Sequence, residues 1–186
     1  YYGPARSGKT TNLIKIYEFL PSGKKGKMLS LSTKEDRTLF FDLLPVEGGK
    51  VKNFNLRFQL YTVPGQVYYN ETRKLVLKGA DAVVFVVDSQ KPLLEENKES
   101  FKDLFVNLRK NDIDPLKIPI LIQYNKRDCP SALPVEFLIK YLDLSNYSYK
   151  EAVAVKGEGV METYKEIVKL LIKKLKGEEE PVKIKE

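Results

Sequence analysis

The feature that most constrains this chain lies at its N-terminus, where residues 3–10 read GPARSGKT. They match the pattern G-x-x-x-x-G-K-[ST], in which a glycine-rich loop joins a strand to a helix and wraps around phosphate. Gly3 and Gly8 allow backbone conformations and close approaches that a Cβ would forbid. Successive loop N–H groups and the N-terminus of the following helix then form an anion site. The pattern predicts a strand–loop–helix unit that binds phosphate.

The residue types in this loop predict separate roles. Lys9 is expected to reach the β- and γ-phosphates, and the Thr10 hydroxyl to ligate Mg²⁺. A glycine-rich turn before an ordinary helix is the alternative.

The elements on either side of the loop are predicted as follows. Residues 11–20 form the helix, which Pro21 stops. Only two residues precede the loop, so we expect its strand to begin upstream of this sequence. The residues predicted to contact the nucleotide here are Gly3, Ala5, Arg6, Ser7, Gly8, Lys9, Thr10 and Thr11.

Composition narrows the function classes. The chain has 186 residues, with 42% hydrophobic and 31% charged, which are globular values. We expect one domain over residues 1–177 and a flexible tail over 178–186. There is no His and a single Cys, Cys129, which excludes an intrachain disulfide, zinc-ligand spacing and His-based catalysis. A lone Cys also fits a reducing, cytoplasmic environment.

The charge pattern bears on partners. The formal net charge is +7, which is compatible with nucleic acid or an acidic membrane surface. The basic residues are scattered, however, and the densest cluster, residues 22–27, reads as a solvated loop. No apolar run approaches the roughly 18 residues of a membrane span. We therefore expect no nucleic-acid partner and no stable membrane insertion.

Apolar runs predict the strands of an α/β sheet. Residues 28–32 and 38–46 read as strands, and Gly48-Gly49 reads as the turn of a hairpin with residues 54–63, whose apolar residues alternate. Residues 83–87 and 118–122 are continuous apolar runs, which is typical of buried parallel strands. Apolar residues at helical spacing between these runs and near the C-terminus predict two helices that pack on the core. Their core-facing residues are Phe101, Leu104, Phe105 and Leu108 in the first, and Val160, Tyr164, Ile167, Val168, Leu171 and Leu175 in the second. The alternation predicts a parallel, doubly wound α/β fold.

A second motif, Asn125-Lys126-Arg127-Asp128, directly follows an apolar strand and fits the N-K-x-D element of GTPases. Parallel α/β sheets bind ligands at this end of their strands. The Asp128 carboxylate accepts hydrogen bonds from guanine N1–H and the 2-amino group, and adenine offers neither. A carboxylate left unpaired rejects the wrong base strongly. We expect Asn125 and the Lys126 stem to brace the base and the phosphate loop. A solvated turn closed by an Asx motif is the alternative.

A third motif, residues 62–66, reads TVPGQ and resembles the D-x-x-G-Q of Ras-like GTPases. The Gly65 N–H is predicted to bond the γ-phosphate, and Gln66 to orient the attacking water. Thr62 stands where the Mg²⁺-side Asp is usual. Either Thr62 acts through water or another carboxylate supplies the charge, and Asp42, on the strand expected to lie alongside, is the candidate metal residue.

Residues 152–160 resemble the S-A-K-x-G-x-x-V loop that closes the guanine pocket. Val153 and Ala154 are therefore predicted to contact the base, with the Ala154 N–H directed at guanine O6.

Residues 32–38 lie where switch I is expected. Thr38 is predicted to reach Mg²⁺ and the γ-phosphate. Arg37 is predicted to act as an arginine finger in cis, a group worth about 10³–10⁵ in rate. A surface ion pair with Glu35 or Asp36 is the alternative for Arg37.

Segments 1–4, 37–42, 60–66 and 123–128 together resemble the MglA family of bacterial and archaeal Ras-like GTPases. The TVPGQ segment discriminates, because most Ras relatives keep Asp at its first position. The resemblance implies a P-loop NTPase fold of the Ras-like α/β/α type, with a mostly parallel central sheet and one antiparallel strand. It also implies GTP and GDP as ligands and Mg²⁺ as cofactor.

The same resemblance implies a cytoplasmic molecular switch for cell polarity and gliding motility, recruited to a cell pole. The implied partners are MglB, a dimeric roadblock-fold activating protein, and downstream polarity or motility effectors. In that family the GTPase itself supplies the catalytic Arg and Gln, so Arg37 and Gln66 join Lys9 as catalytic residues here. Movement of the strand around Asp42 would couple nucleotide state to partner binding.

Two other functions stay open on the residues alone. The replaced Asp at Thr62 is compatible with a nucleotide-dependent scaffold that barely hydrolyses GTP. A metabolic enzyme that uses ATP would share the phosphate loop, although Asp128 argues against it.

Overall fold

The structure, a computed structural model, describes residues 1–31, 41–51, 54–65 and 70–177. Helices and strands alternate through most of these residues. The helices are α1 (Lys9–Phe19), α2 (Asn70–Leu77), α3 (Leu94–Lys110), α4 (Val135–Leu142) and α5 (Val160–Lys176). The strands are β1 (Leu29–Leu31), β2 (Phe41–Val51), β3 (Phe54–Tyr61), β4 (Val83–Asp88), β5 (Ile120–Asn125) and β6 (Tyr149–Glu151).

Two three-stranded ladders meet at the N-terminus. β1, β2 and β3 pair antiparallel in that order, and β4, β5 and β6 pair parallel. Tyr1 and Tyr2 join the ladders, because the Val63 N–H donates to the Tyr1 carbonyl (3.0 Å) and the Val86 N–H to the Tyr2 carbonyl (2.8 Å). The Tyr2–Phe85 bridge is parallel, and the Tyr1 amine also donates to the Tyr61 carbonyl at 2.7 Å, which completes a parallel pattern on the other side. Among the described strands, β2 alone runs against the others, as expected for this fold.

β4 shows why helices cover both faces of the sheet. Successive strand residues point to opposite faces, and all six residues of β4 are buried. Phe85 packs in one core cluster with Leu104 of α3. Its neighbour Val86 packs in another cluster with Ile167 of α5. The sheet therefore lies between two helical layers, which confirms the predicted α/β/α architecture.

The hairpin of β2 and β3 confirms one prediction and corrects another. The strands pair as expected, and Leu56, Phe58 and Leu60 are more buried than the residues between them. The predicted turn at Gly48-Gly49 is wrong. These residues lie inside β2, where the register with β3 shifts by one residue, and Gly49 has φ 80°. A β-bulge uses the same permissive backbone as a turn, so the glycine pair alone does not distinguish them.

The helices largely follow the sequence pattern. α1 ends one residue before the predicted end, and Leu104 and Leu108 of α3 are fully buried. In α5 the stripe holds as far as Val168, Leu171 is half-buried, and Leu175 in the last turn is 63% exposed and lies outside the core. In the part of the chain that the structure describes, no helix has the length and apolarity that crossing a membrane requires.

Candidate nucleotide-binding site

The phosphate loop lies between the Tyr1–Tyr2 strand and α1. Gly3 and Gly8 have φ values of 144° and 103°, which other residues rarely adopt. A Cβ on Gly8 would lie 2.2 Å from the Asn125 amide nitrogen. The loop therefore needs glycine at this position to approach the N-K-x-D motif.

The other predicted loop residues lie around the same turn. Arg6 is exposed with φ 60°, Ala5 is half-buried, and Thr11 is half-buried in the first turn of α1. Ser7 is fully buried, and its hydroxyl has no hydrogen-bond partner in the described residues. Buried polar atoms without a partner are uncommon. The Ser7 hydroxyl therefore suits a site that receives a polar ligand.

Lys9 turns back onto its own loop. Its ammonium donates to the carbonyl of Gly3 (2.9 Å) and to that of Pro4 (2.6 Å), and the residue is only 7% exposed. Burial, and secondarily the nearby charge of Arg73, lower the pKa of Lys9 to about 7. A buried cation of this kind is favourable only beside an anion. This agrees with the prediction that Lys9 binds phosphate.

Hydroxyl groups converge on Asp42 in β2. Its Oδ2 accepts from the Thr10 hydroxyl (2.7 Å) and the Thr62 hydroxyl (2.8 Å), and its Oδ1 accepts from Ser30 (2.7 Å). The Thr62 hydroxyl also accepts from the Asp42 N–H at 2.8 Å. The Asp42 carboxylate thus lies beside both threonines. It comes from β2, whereas the Asp usual in Ras relatives would stand at the position of Thr62, after β3.

Gly65 brings the end of the TVPGQ segment against the phosphate loop. A Cβ at this residue would lie 2.3 Å from the Ala5 amide nitrogen and 2.5 Å from the Pro4 carbonyl carbon. Any larger residue would force the two segments apart. The backbone around Gly65 is therefore close to the loop predicted to bind phosphate.

Asn125 connects the two predicted halves of the site. Its amide donates to the Ser7 carbonyl (2.8 Å), and its Oδ1 accepts from the Ala154 N–H (2.9 Å). The residue is 2% exposed. One buried side chain thus joins the phosphate loop to the segment predicted to close the base pocket.

Lys126 and Asp128 lie on the loop after β5. Lys126 has φ 62°, and its ammonium lies 2.5 Å from Asp88 Oδ2 and 3.4 Å from Gln90 Oε1. The Asp128 side chain is 32% exposed and lies 3.6 Å from the Lys156 ammonium. Its carboxylate therefore stays accessible to a base.

Val153 and Ala154 are both buried, at 7% and 1% exposure. The Val153 N–H donates to the Glu158 carbonyl at 3.0 Å, and the Ala154 N–H already has Asn125 as its acceptor. The contact of Ala154 with guanine O6 stays a prediction, and it requires this N–H to be shared between two acceptors.

Three predicted residues lie outside the described part of the chain. They are Arg37 and Thr38 in segment 32–40 and Gln66 in segment 66–69. Their roles stay predictions.

Two ion pairs near the site were not predicted from the sequence. Asp88 ends β4 and binds Lys126. In the sequence, an acidic residue directly after the apolar run 83–87 was the available signal. Arg73 of α2 lies 3.0 Å from Asp103 of α3, whose carboxylate also accepts from the hydroxyl of Tyr2. No local pattern marks this long-range network.

A phosphate loop, a neighbouring N-K-x-D motif and a sheet with helices on both faces define a P-loop protein of the small GTPase class. Comparisons with known proteins agree. The model of the ADP-ribosylation factor (Arf) family matches residues 22–174. The mutual gliding-motility protein MglA of Myxococcus xanthus (strain DK1622) is 52% identical over 176 residues, which covers 95% of this chain and 90% of that protein.

More distant relatives place the chain in the same class. ADP-ribosylation factor-like protein 6 of Caenorhabditis elegans is 31% identical over 148 residues, covering 75% of each protein. The structure of the Arl6 BBS3 small GTPase from Trypanosoma brucei with the bound nucleotide analogue GppNp has a TM-score of 0.66. It covers 93% of this chain at 22% identity, which supports the fold. The chain belongs to the MglA family of Arf- and Ras-like small GTPases, and it binds GTP and GDP.

Proposed function

We propose that this chain is a molecular switch that binds GTP with Mg²⁺ and hydrolyses it slowly until a partner stimulates the reaction. The Asn125 side chain carries the proposal, because it is hydrogen-bonded to Ser7 and to Ala154. It brings together three segments that separate motifs predict to hold the phosphates and the base. Asp128 beside them supplies the guanine-selective carboxylate.

The hydroxyl cluster around Asp42 fits a magnesium site. Mg²⁺ prefers oxygen ligands and is usually held by one or two carboxylates together with nucleotide phosphates. Thr10 and Asp42 are 2.7 Å apart between side-chain oxygens, so both would hold the ion, with Thr38 as a further predicted ligand. When bound, the ion would neutralise charge on the β- and γ-phosphate oxygens. Asp42 thus takes the role of the carboxylate that Thr62 replaces.

The chain's own groups divide the work of hydrolysis. Lys9 binds the phosphates through the ammonium N–H that its two loop carbonyls leave free, and the Gly65 N–H reports whether a γ-phosphate is present. Gln66 orients the attacking water, and Arg37 stabilises the charge that develops in the transition state. Because two of these residues lie on segments predicted to change with nucleotide state, we expect intrinsic hydrolysis to be slow.

The cellular role proposed for this switch is control of polarity and gliding motility. Its support is the 52% identity to the M. xanthus mutual gliding-motility protein. We propose that a dimeric MglB-like roadblock protein activates it by arranging Arg37 and Gln66. In the GTP state it would recruit polarity or motility effectors, at a cell pole in the cytoplasm.

Multiple-turnover phosphate release tests the mechanism, measured with and without an MglB-type partner. We expect slow release alone and strong stimulation by the partner. Gln66→Leu and Arg37→Ala should each abolish the stimulation while GTP affinity stays within about threefold of wild type.

Lys24→Ala, a change in the exposed 3₁₀ turn after α1, is the matched control and should be stimulated normally. Unchanged stimulated turnover in Gln66→Leu or Arg37→Ala would refute the proposed catalytic roles. Absence of turnover under all conditions, with GTP-dependent partner binding retained, would instead support a scaffold.

A further inference from the structure

Asp88 is a buried carboxylate that the proposed mechanism does not use. It is the last residue of β4 and is 1% exposed, and its Oδ2 lies 2.5 Å from the Lys126 ammonium. A buried charge is tolerated only when it is paired and hydrogen-bonded. The Lys126 ammonium therefore compensates the Asp88 carboxylate, and Asp88 in turn fixes the direction of the Lys126 side chain.

Asp88 is itself held firmly. The fully buried Asn97 of α3 accepts from the Asp88 N–H (2.9 Å) and donates to the Asp88 carbonyl (2.9 Å). The Gln90 N–H donates to Oδ1 at 3.1 Å. Both carboxylate oxygens are thus engaged, and the carboxylate acts as a fixed anchor rather than a mobile surface charge.

Lys126 occupies the point where the chain leaves β5 and enters the loop that carries Asp128. Its φ of 62° is a left-handed conformation that is unfavourable for a residue with a Cβ. The Cys129 N–H donates to the Lys126 carbonyl at 3.1 Å, which closes the turn around Asp128. An anchor on the Lys126 side chain therefore helps to set where the Asp128 carboxylate lies.

We propose that Asp88 is a positioning residue for guanine recognition. It acts through Lys126, by holding the ammonium at the end of β4 and so fixing the loop that presents Asp128. This inference rests on the proposed guanine site, and it deepens that proposal by naming what keeps its specificity carboxylate in place.

Base discrimination gives a readout that a merely structural role would leave unchanged. Guanine offers Asp128 two donors, N1–H and the 2-amino group, whereas hypoxanthine offers N1–H alone. The ratio of the Kd for inosine diphosphate to the Kd for GDP therefore reports how well Asp128 is placed. Calorimetric titration of the full chain with each nucleotide measures this ratio.

In Asp88→Asn, the affinity for GDP should fall about tenfold, the equivalent of one charge-assisted hydrogen bond, and the ratio should fall at least threefold. Asp81→Asn, an exposed carboxylate just before β4, is the matched control and should behave like wild type. Adding Asp88→Asn to Lys126→Met should cause no further loss, because the two residues act as one unit.

If Asp88→Asn fails to fold, Asp88→Glu, which keeps the charge but shifts the carboxylate by one methylene, takes its place with the same readout. A folded variant whose ratio stays within twofold of wild type would overturn the inference, whether or not overall affinity falls. A wild-type protein that does not prefer GDP to inosine diphosphate would overturn the proposed guanine site itself.

Discussion

At the base end of the site, which comprises residues 125–128 and 152–155, the protein groups hold one another in place. Asn125 bonds Ser7 and Ala154, and Lys126 bonds Asp88. These contacts leave the Asp128 carboxylate accessible, so a base can bind without breaking them. The base end is therefore built before the nucleotide arrives.

The phosphate end, which comprises residues 3–10 with Asp42 and Thr62, is different. The groups predicted to bind phosphate and metal are bonded to the chain itself. Lys9 bonds two loop carbonyls, and the Thr10 hydroxyl bonds Asp42. The third N–H of the Lys9 ammonium and the lone pairs of the Thr10 hydroxyl remain for a ligand, so binding there acts on groups that already hold the loop together. The comparison suggests that the base end supplies specificity and the phosphate end supplies the part that responds to nucleotide state.

The largest expected effect breaks the connection between the two ends. Asn125→Ala leaves the Ser7 carbonyl and the Ala154 N–H without partners in a buried place. Each such group costs about 1–3 kcal/mol, so we expect the free energy of unfolding to fall by about 2–6 kcal/mol. Urea denaturation without nucleotide measures this loss. The exposed Asn146→Ala is the matched control, and equal midpoints for the two variants would contradict the account.

An intermediate effect is expected at the phosphate end. Asp42→Asn keeps the shape of the side chain but removes the charge that would attract Mg²⁺. The Mg²⁺ concentration needed for half-maximal strengthening of GDP binding should rise at least about tenfold. GDP affinity in the presence of EDTA should change little.

The control for Asp42 lies on the same strand. Glu47 of β2 is exposed and pairs with Arg57 at 2.9 Å, so Glu47→Gln should leave the Mg²⁺ dependence unchanged. If Asp42→Asn keeps the wild-type Mg²⁺ dependence, the carboxylate that replaces the usual Asp lies elsewhere in the chain.

The smallest effect is a pH dependence at Lys9, whose pKa is lowered to about 7 by burial and by Arg73. Phosphate favours the charged ammonium, so the bound state has the higher pKa. Above pH 7 binding must take up a proton, and GDP affinity should decrease as pH rises, by at most about tenfold per unit. Titrations between pH 6.5 and about 7.5, below the usual Lys range, measure this slope, which amounts to at most about threefold over that interval. Lys9→Arg stays protonated and should show a flatter profile; equal slopes would assign the effect to another group.

The features that could be predicted from the sequence are those that depend on neighbouring residues. The phosphate loop, the β2–β3 hairpin and the strand before Asn125 follow from local patterns, because glycine spacing and hydrophobic periodicity are properties of neighbouring residues. Even the proximity of Asp42 to Thr62 followed from expected strand pairing. The contact geometry itself needed the structure, since the Thr10–Asp42 hydrogen bond joins residues 32 positions apart.

The failures have the opposite character. Gly48-Gly49 forms a bulge rather than a turn because pairing with β3 continues beyond it, and tertiary pairing overrides a local turn signal. The Asp88–Lys126 and Arg73–Asp103 pairs join residues 38 and 30 positions apart in the numbering. The local sequence around each of these residues does not indicate which distant residue it pairs with.

Nucleotide competition tests the central claim most directly, that Asp128 at a preformed base end makes this chain a guanine-nucleotide switch. Displacement of fluorescent GDP by GTP or ATP should show wild-type preference for GTP by about 10⁴-fold or more. Asp128→Asn should lose most of that preference while still binding through the phosphate loop. If ATP competes equally with GTP in the wild type, or if Asp128→Asn keeps the full preference, the account is contradicted.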